Sequence, residues 1–288
     1  MPLPCIHMKE VTDQLGPTID LLEHMDTVHP DLLIEHGIRP PDYHGSLVFR
    51  SAIESIRGNY IASAPTIRQA IMADVLASMK KSGAIVDFKL MAGRERYDFT
   101  VVLSEDPDKF AAVEVKGGEG NSINISERPR WAREFLVWSH LDGAIVNQPA
   151  HGAHAIVMTR LSAEMVLRRK QVDALFIKDR LCGTPTRPCP KYPGKETSIG
   201  LYGAPCVFLF PRAIPKWDGT RSPDVHDIST ISLPFLILDA YGVRRENYED
   251  HLYQVKITLF EGTAGARRRR TQAFYKGELR DEGVGRGR

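Results

Sequence analysis

The hydrophobic period of this chain changes abruptly near residue 84, and that change constrains the fold more than any other feature. From Ser63 to Lys81 the residues Ile67, Ile71, Val75 and Met79 recur at helical spacing, with Ser63 placed to cap and Pro65 suited to the first turn. From residue 84 the period is two. Residues 84–92, 97–103 and 110–116 read as three successive strands. The last two are joined by Ser104-Glu105-Asp106-Pro107-Asp108, whose composition is that of a turn. A helix that feeds an antiparallel meander is therefore the nucleus of the fold.

The rest of the chain is organised around it. A helix is expected over residues 127–140, with Trp131, Phe135 and Trp138 on neighbouring turns, then a short buried strand at 144–146, a helix over 153–170 and a strand at 172–177. That order predicts an α/β fold, a mixed sheet flanked by helices on both faces. Residues 182–200, rich in Pro, Gly, Thr and Lys, read as a loop. Beyond them, strands are expected at 206–210, 235–238 and 253–260, followed by a frayed Gly/Arg tail. Upstream, residues 1–45 are helical and loop material interrupted at Pro40-Pro41, and a helix is expected over 47–57. The division is an N-terminal helical segment (1–45), a core (46–180) and a C-terminal α/β elaboration (181–288), with no Ser/Gly-rich spacer between the last two.

Composition excludes several classes. At 288 residues, 42% apolar and 26% charged, the chain has the make-up of a soluble globular protein with its own core. Its apolar runs are too short to cross a bilayer, and the N-terminus has no apolar signal region. Four cysteines are too few for a disulfide framework, which points to a reducing cytoplasm. The charge is uneven: residues 1–150 carry 15 basic against 21 acidic side chains, and residues 151–288 carry 23 against 15. An acidic half beside a basic one suits bound cations on one side and a polyanion on the other.

Charged residues interrupt two of the strands. Asp98 breaks Tyr97-Asp98-Phe99-Thr100-Val101, and Glu114 and Lys116 close Ala111-Ala112-Val113-Glu114-Val115-Lys116. Side chains two apart share a strand face, so Glu114 and Lys116 point the same way. A hairpin through Asp106-Pro107 places Asp98 opposite residues 114–116. Two adjacent carboxylates repel, and their burial favours a bridging cation. Mg²⁺ suits such a pair, since it takes one or two carboxylates and keeps water and phosphate oxygens as its other ligands. The competing account is a structural ion-pair cluster on an open strand face.

These residues resemble the PD-(D/E)xK nuclease superfamily: an acid on the second core strand, then Glu-x-Lys on the third, after one helix and before another. Asp98 and Glu114-Val115-Lys116 carry the resemblance, over about residues 47–180, with Tyr97 where the motif has proline. Pro107-Asp108 is a literal match but sits in the turn. Asp87-Phe88-Lys89 would need Asp74, on a helix, as its partner acid. The likeness implies a restriction-endonuclease-like fold and, most like a type II restriction endonuclease, Mg²⁺-dependent cleavage of double-stranded DNA at a specific site. It also implies a homodimer and a companion DNA methyltransferase acting on that site. A repair or junction-resolving nuclease, or a non-cleaving DNA-binding protein on the same fold, are the alternatives. In this superfamily a helix acid often completes the site; Glu54 is preferred over Asp74.

Other features are less specific. Gly117, Gly118 and Gly120 permit close backbone approach to phosphate. Arg128, Arg130 and Arg133, beside Trp131, offer DNA-backbone contacts or simply an outer helix face. The run Arg267-Arg268-Arg269-Arg270 reads as a DNA-backbone clamp or as a solvated charge run on a mobile loop, with Thr271 and Gln272 in reach of bases or phosphates. Cys182, Cys189 and Cys206 with His226 lack the tight cysteine pair of structural zinc. No P-loop, His-Glu-x-x-His spacing or nucleophile elbow is present.

Overall fold

The computed structural model describes residues 17, 20–46, 49, 65–93, 95–106, 109–117, 124–140, 156–177, 204–217 and 221–287. Among the described residues nine strands form one mixed sheet in which spatial order follows chain order. They are β1 (Asp87–Leu90), β2 (Phe99–Val102), β3 (Phe110–Gly117), β4 (Glu134–His140), β5 (Ala174–Ile177), β6 (Cys206–Leu209), β7 (Leu252–Glu261), β8 (Arg267–Tyr275) and β9 (Glu278–Arg286). The β1–β2–β3 meander is antiparallel. Strands β3, β4 and β5 are parallel; β6 returns antiparallel to β5 and runs parallel to β7. The antiparallel β7–β8–β9 meander closes the order.

Helices cover both faces, as the element order predicts. The described helices are α1 (Met25–Val28), α2 (Pro30–Glu35), α3 (Pro65–Lys81), α4 (Ser162–Leu167, preceded by a π-helical turn over Ile156–Leu161) and α5 (Leu233–Ala240). On one face Met72, Val75, Leu76 and Met79 of α3, and Leu233, Ile237 and Leu238 of α5, pack on Phe99, Val113, Trp138 and Phe176. On the other, Val157, Leu161 and Met165 pack on Phe135, Val137, Leu175 and Ile257. Each fully buried ring, such as Phe99 or Phe135, contributes about 1.5–3 kcal/mol relative to exposure. Among the described residues no helix is long and apolar enough to cross a membrane.

Four local expectations are corrected. The helix over residues 127–140 is instead loop followed by β4, so the first strand or helix among the described residues after β3 is a strand. Lying between two parallel neighbours, β4 is buried on both faces, and such strands carry continuous apolar runs that mimic a helix's spacing. Residues 235–238 lie in α5, not in a strand. Pro234 suits its first turn, the Glu134 carboxylate accepts from Ser232 N (2.5 Å) and Leu233 N (2.8 Å), and Gly242 (φ +74°) follows its end. The arginine run is the start of β8, not a loop, and the tail is β9, not frayed. The expected helix at 47–57, strand at 144–146 and loop at 182–200 lie largely or wholly outside the described residues.

Candidate active site

Register assembles the site. The β2–β3 ladder pairs Phe99 with Val113 and Thr100 with Ala112, so one step on Asp98 falls opposite Glu114. Alternation puts Glu114 and Lys116 on one face of β3. Lys116 Nζ lies 2.5 Å from Glu114 Oε1; the lysine side chain keeps 27% of its surface exposed, the glutamate 6%. Ser126 N donates to Glu114 Oε2 at 2.9 Å. Burial pushes the Glu114 carboxyl above the ordinary glutamate range. Lys116 and the Ser126 amide pull it back, and the nearby Asp98 charge adds to the rise.

Asp98 has a second task. Its Oδ2 accepts from Val115 N (2.7 Å), just past the end of the β2–β3 ladder, and its Oδ1 accepts from Gln69 Nε2 of α3 (2.8 Å). The helix residue that reaches the acid pair is thus a glutamine. Asp74 stands exposed on α3, and the preferred helix acid Glu54 lies outside the described residues.

Residues 124–133 form the roof. Arg128 Nη1 lies 3.0 Å from Asp173 Oδ1, and Arg128 Nε donates to Ala132 O at 3.0 Å. Asp173, fully buried, also accepts from Phe135 N (2.5 Å), and His226 Nε2 sits 2.9 Å away without hydrogen-bond alignment. Lys170 Nζ donates to Ile125 O and lies 3.5 Å from Glu164 Oε2. Arg128 therefore ties the roof to the core and is not a free phosphate contact, whereas Arg130 is exposed.

The result is a cleft of about 420 Å³ lined by Glu114, Lys116, Arg96, Asn124, Glu127 and Lys170 among others, with Asp98 beside it and not in its wall. Three cations against two carboxylates favour an anion. Sequence reasoning missed Arg96, Lys170 and Gln69. Only Gln69 carried a signal, as a polar residue one turn before Met72 on the apolar stripe of α3. A larger cleft, about 1000 Å³, opens near Arg221, Tyr248 and Lys256; Asp224, Asp227 and Glu249 line it, and among the described residues no three metal-ligating side chains converge there. Size does not make it the catalytic site.

The donor set fits a hard divalent cation. Each of the four oxygens of Asp98 and Glu114 accepts one hydrogen bond or ion pair and retains a second lone pair. Among the described residues no three His, Cys, Asp or Glu side chains converge, and Mg²⁺ needs only one or two carboxylates. Zinc gains no support from Cys206, half-buried on β6, or from His226, which faces Asp173; Cys182 and Cys189 lie outside the described residues.

The arginine run divides by alternation. Arg268 and Arg270 lie on the outer face of β8. Arg267 stacks 4.7 Å over the Trp217 ring, and Arg269 points into the core at 5% exposure. Arg269 and the fully buried Thr271 are therefore corrected as DNA contacts: side chains on the inner face of a strand cannot reach a phosphate outside.

Neither a family model, a curated protein nor a solved structure matches the chain.

Proposed function

We propose that the chain is a Mg²⁺-dependent endodeoxyribonuclease that hydrolyses phosphodiester bonds of duplex DNA at a specific sequence, on a restriction-endonuclease-like core. The observation that carries the reading is the β2–β3 register, which sets Asp98 across from Glu114 and turns Lys116 into the same cationic cleft. Asp98 and Glu114 would hold the metal, which when bound polarises the scissile phosphate and acidifies water. Lys116 orients the attacking water and offsets the charge that builds on the phosphate. Arg96, exposed at the cleft, draws the phosphate chain to its mouth, and Lys170 on Ile125 O together with the Arg128–Asp173 pair holds the roof so that Ser126 N stays on Glu114. Symmetric cutting of both strands calls for two such sites, hence a homodimer, with a companion methyltransferase to protect host DNA.

Incubation of a supercoiled plasmid with Mg²⁺, with Ca²⁺ and with chelator tests the reading. Discrete fragments in Mg²⁺ alone are expected, because Ca²⁺ coordinates loosely and acidifies water less. A smear would move the assignment to a repair-type nuclease, and an intact plasmid that nonetheless binds would move it to a non-cleaving DNA-binding protein.

A further inference from the structure

Among the described residues no helix lies on the outer face of the β7–β9 meander, which carries an ordered array. Cross-strand pairing arranges it in rows: Phe260, Arg268 and Arg286; Thr258, Arg270 and Val284; Lys256, Gln272 and Glu282; Gln254, Phe274 and Leu279. Successive rows lie about 6.8 Å apart, two residues at ~3.4 Å each. Four cations face one carboxylate. Glu282 lies 3.6 Å from Arg270, whereas Lys256, Arg268 and Arg286 have no carboxylate within ion-pair reach among the described residues. The cations alternate with rings: the Arg270 guanidinium sits 5.1 Å from the Phe260 centroid and Lys256 Nζ 4.5 Å from that of Phe274. Leu279 and Val284 add exposed apolar surface at 49% and 56%. Lys256 and Phe274 also line the cleft of about 1000 Å³, where five Lys and Arg side chains outnumber the carboxylates of Asp224, Asp227 and Glu249.

We propose that this face, together with the cleft it runs into, binds a single strand of nucleic acid. Charge complementarity selects a polyanion, and the interleaved apolar surface selects the unpaired form. A duplex offers only phosphates to a flat face and would leave Phe260, Phe274, Leu279 and Val284 without function. An unpaired strand lays bases on rings and phosphates on cations. The site is separate from the Glu114 cleft and does not depend on the nuclease reading.

The test is fluorescence anisotropy with a labelled oligothymidylate and with a duplex of equal length, in chelator, across a salt series. Each phosphate neutralised on a single strand contributes about −0.7 to the slope of log K against log salt. The triple variant Lys256→Gln/Arg268→Gln/Arg270→Gln, all exposed positions, should flatten the slope by about 1–2 units. Phe260→Leu and Phe274→Leu should each weaken the single strand at least about fivefold and leave the duplex unchanged. An unchanged slope in the triple variant overturns the proposal. So does a duplex bound as tightly with no effect of the ring variants, or a wild-type dimer in sedimentation that the triple variant dissolves, since a second copy would then occupy the face. Melting temperatures confirm that the variants fold. Loss of plasmid cleavage in Glu114→Gln bears on the other cleft and leaves this result untouched.

Discussion

Arg269→Met should stabilise the protein. The guanidinium is 5% exposed, its Nε and Nη1 have no hydrogen-bond partner, and its Nη2 makes only a long 3.4 Å contact with Met158 O. Burial alone holds its pKa below the ordinary arginine value. Each unmet buried donor costs about 1–3 kcal/mol, more on a charged group. Replacement of buried charges by apolar groups of similar volume is often neutral or stabilising by about 1–4 kcal/mol. Met is close to arginine in volume, though two atoms shorter, and replaces the charged head with an apolar end beside Met158. Two unmet donors relieved and one weak bond lost give an expected gain of about 1–4 kcal/mol. At a urea slope near 3 kcal/mol/M that gain is a midpoint rise of roughly 0.3–1.3 M with the slope unchanged. Urea unfolding followed by circular dichroism measures it. A loss of more than about 1 kcal/mol would falsify the reasoning, because it would mean that the guanidinium has a strong partner whose removal is what the variant feels.

Asp98→Asn and Glu114→Gln should each reduce cleavage to background while circular dichroism stays native; near-wild-type fragments from either variant would remove the site. Lys116→Ala should lose turnover and keep DNA affinity in Ca²⁺, and parallel loss of both would make it a phosphate anchor. Burial raises the carboxyl pKa of both Glu114 and Glu134, so the folded state binds more protons than the unfolded chain above pH ~4.5. Stability should therefore fall as pH rises from there through the native values. Glu134→Gln should flatten that decline, and an identical slope in the variant would contradict it. Asp173→Asn should cost about 3–5 kcal/mol, since it strips a buried hub of its charge beside Arg128 and His226; a midpoint within error of wild type would deny the hub its role.

The β1–β3 meander and its acid pair were readable because a half-buried antiparallel strand writes its period into the sequence, and the turn composition of Ser104-Glu105-Asp106-Pro107-Asp108 marks where two strands part. Strand β4 was not, because Phe135-Leu136-Val137-Trp138 is buried on both faces and has no period to show. The same holds for α5, where six apolar residues in a row leave helix and strand equally open until Glu134, 98 positions away from Ser232, caps its start. In β8 four arginines hid an alternation. Arg268 and Arg270 face outward, Arg267 is exposed over Trp217, and Arg269 alone lies inside, a placement possible only through neighbours distant in sequence. A Cβ at Gly285 would lie 2.7 Å from Arg269 Nη2 and one at Gly283 3.1 Å from Met158 Cβ, so the Gly283-x-Gly285 pattern that suggested a frayed tail makes room for the arginine and for Met158. Glu114 and Lys116 were visible as types, but Arg96, Lys170 and Gln69 join them by packing alone.

The agreement between spatial and chain order bears on how the molecule is made. In a sheet that grows strand by strand from β1 to β9, every newly synthesised strand meets a partner already in place, and none must insert between two finished neighbours. The strand order thus lets the acid pair of β2 and β3 form before the arginines of β8 are synthesised. The growing edge is the exposed point. Until β6 arrives, β5, buried on both faces in the finished fold, presents Ala174-Leu175-Phe176-Ile177 with one side unpaired. The finished edge is β9, whose Glu278, Arg280, Asp281, Glu282 and Arg286 are poor templates for another chain. Synthesis thus carries the sheet from a sticky boundary to a charged one, and the interval between Ile177 and Cys206 is when the nascent protein most needs protection from its neighbours.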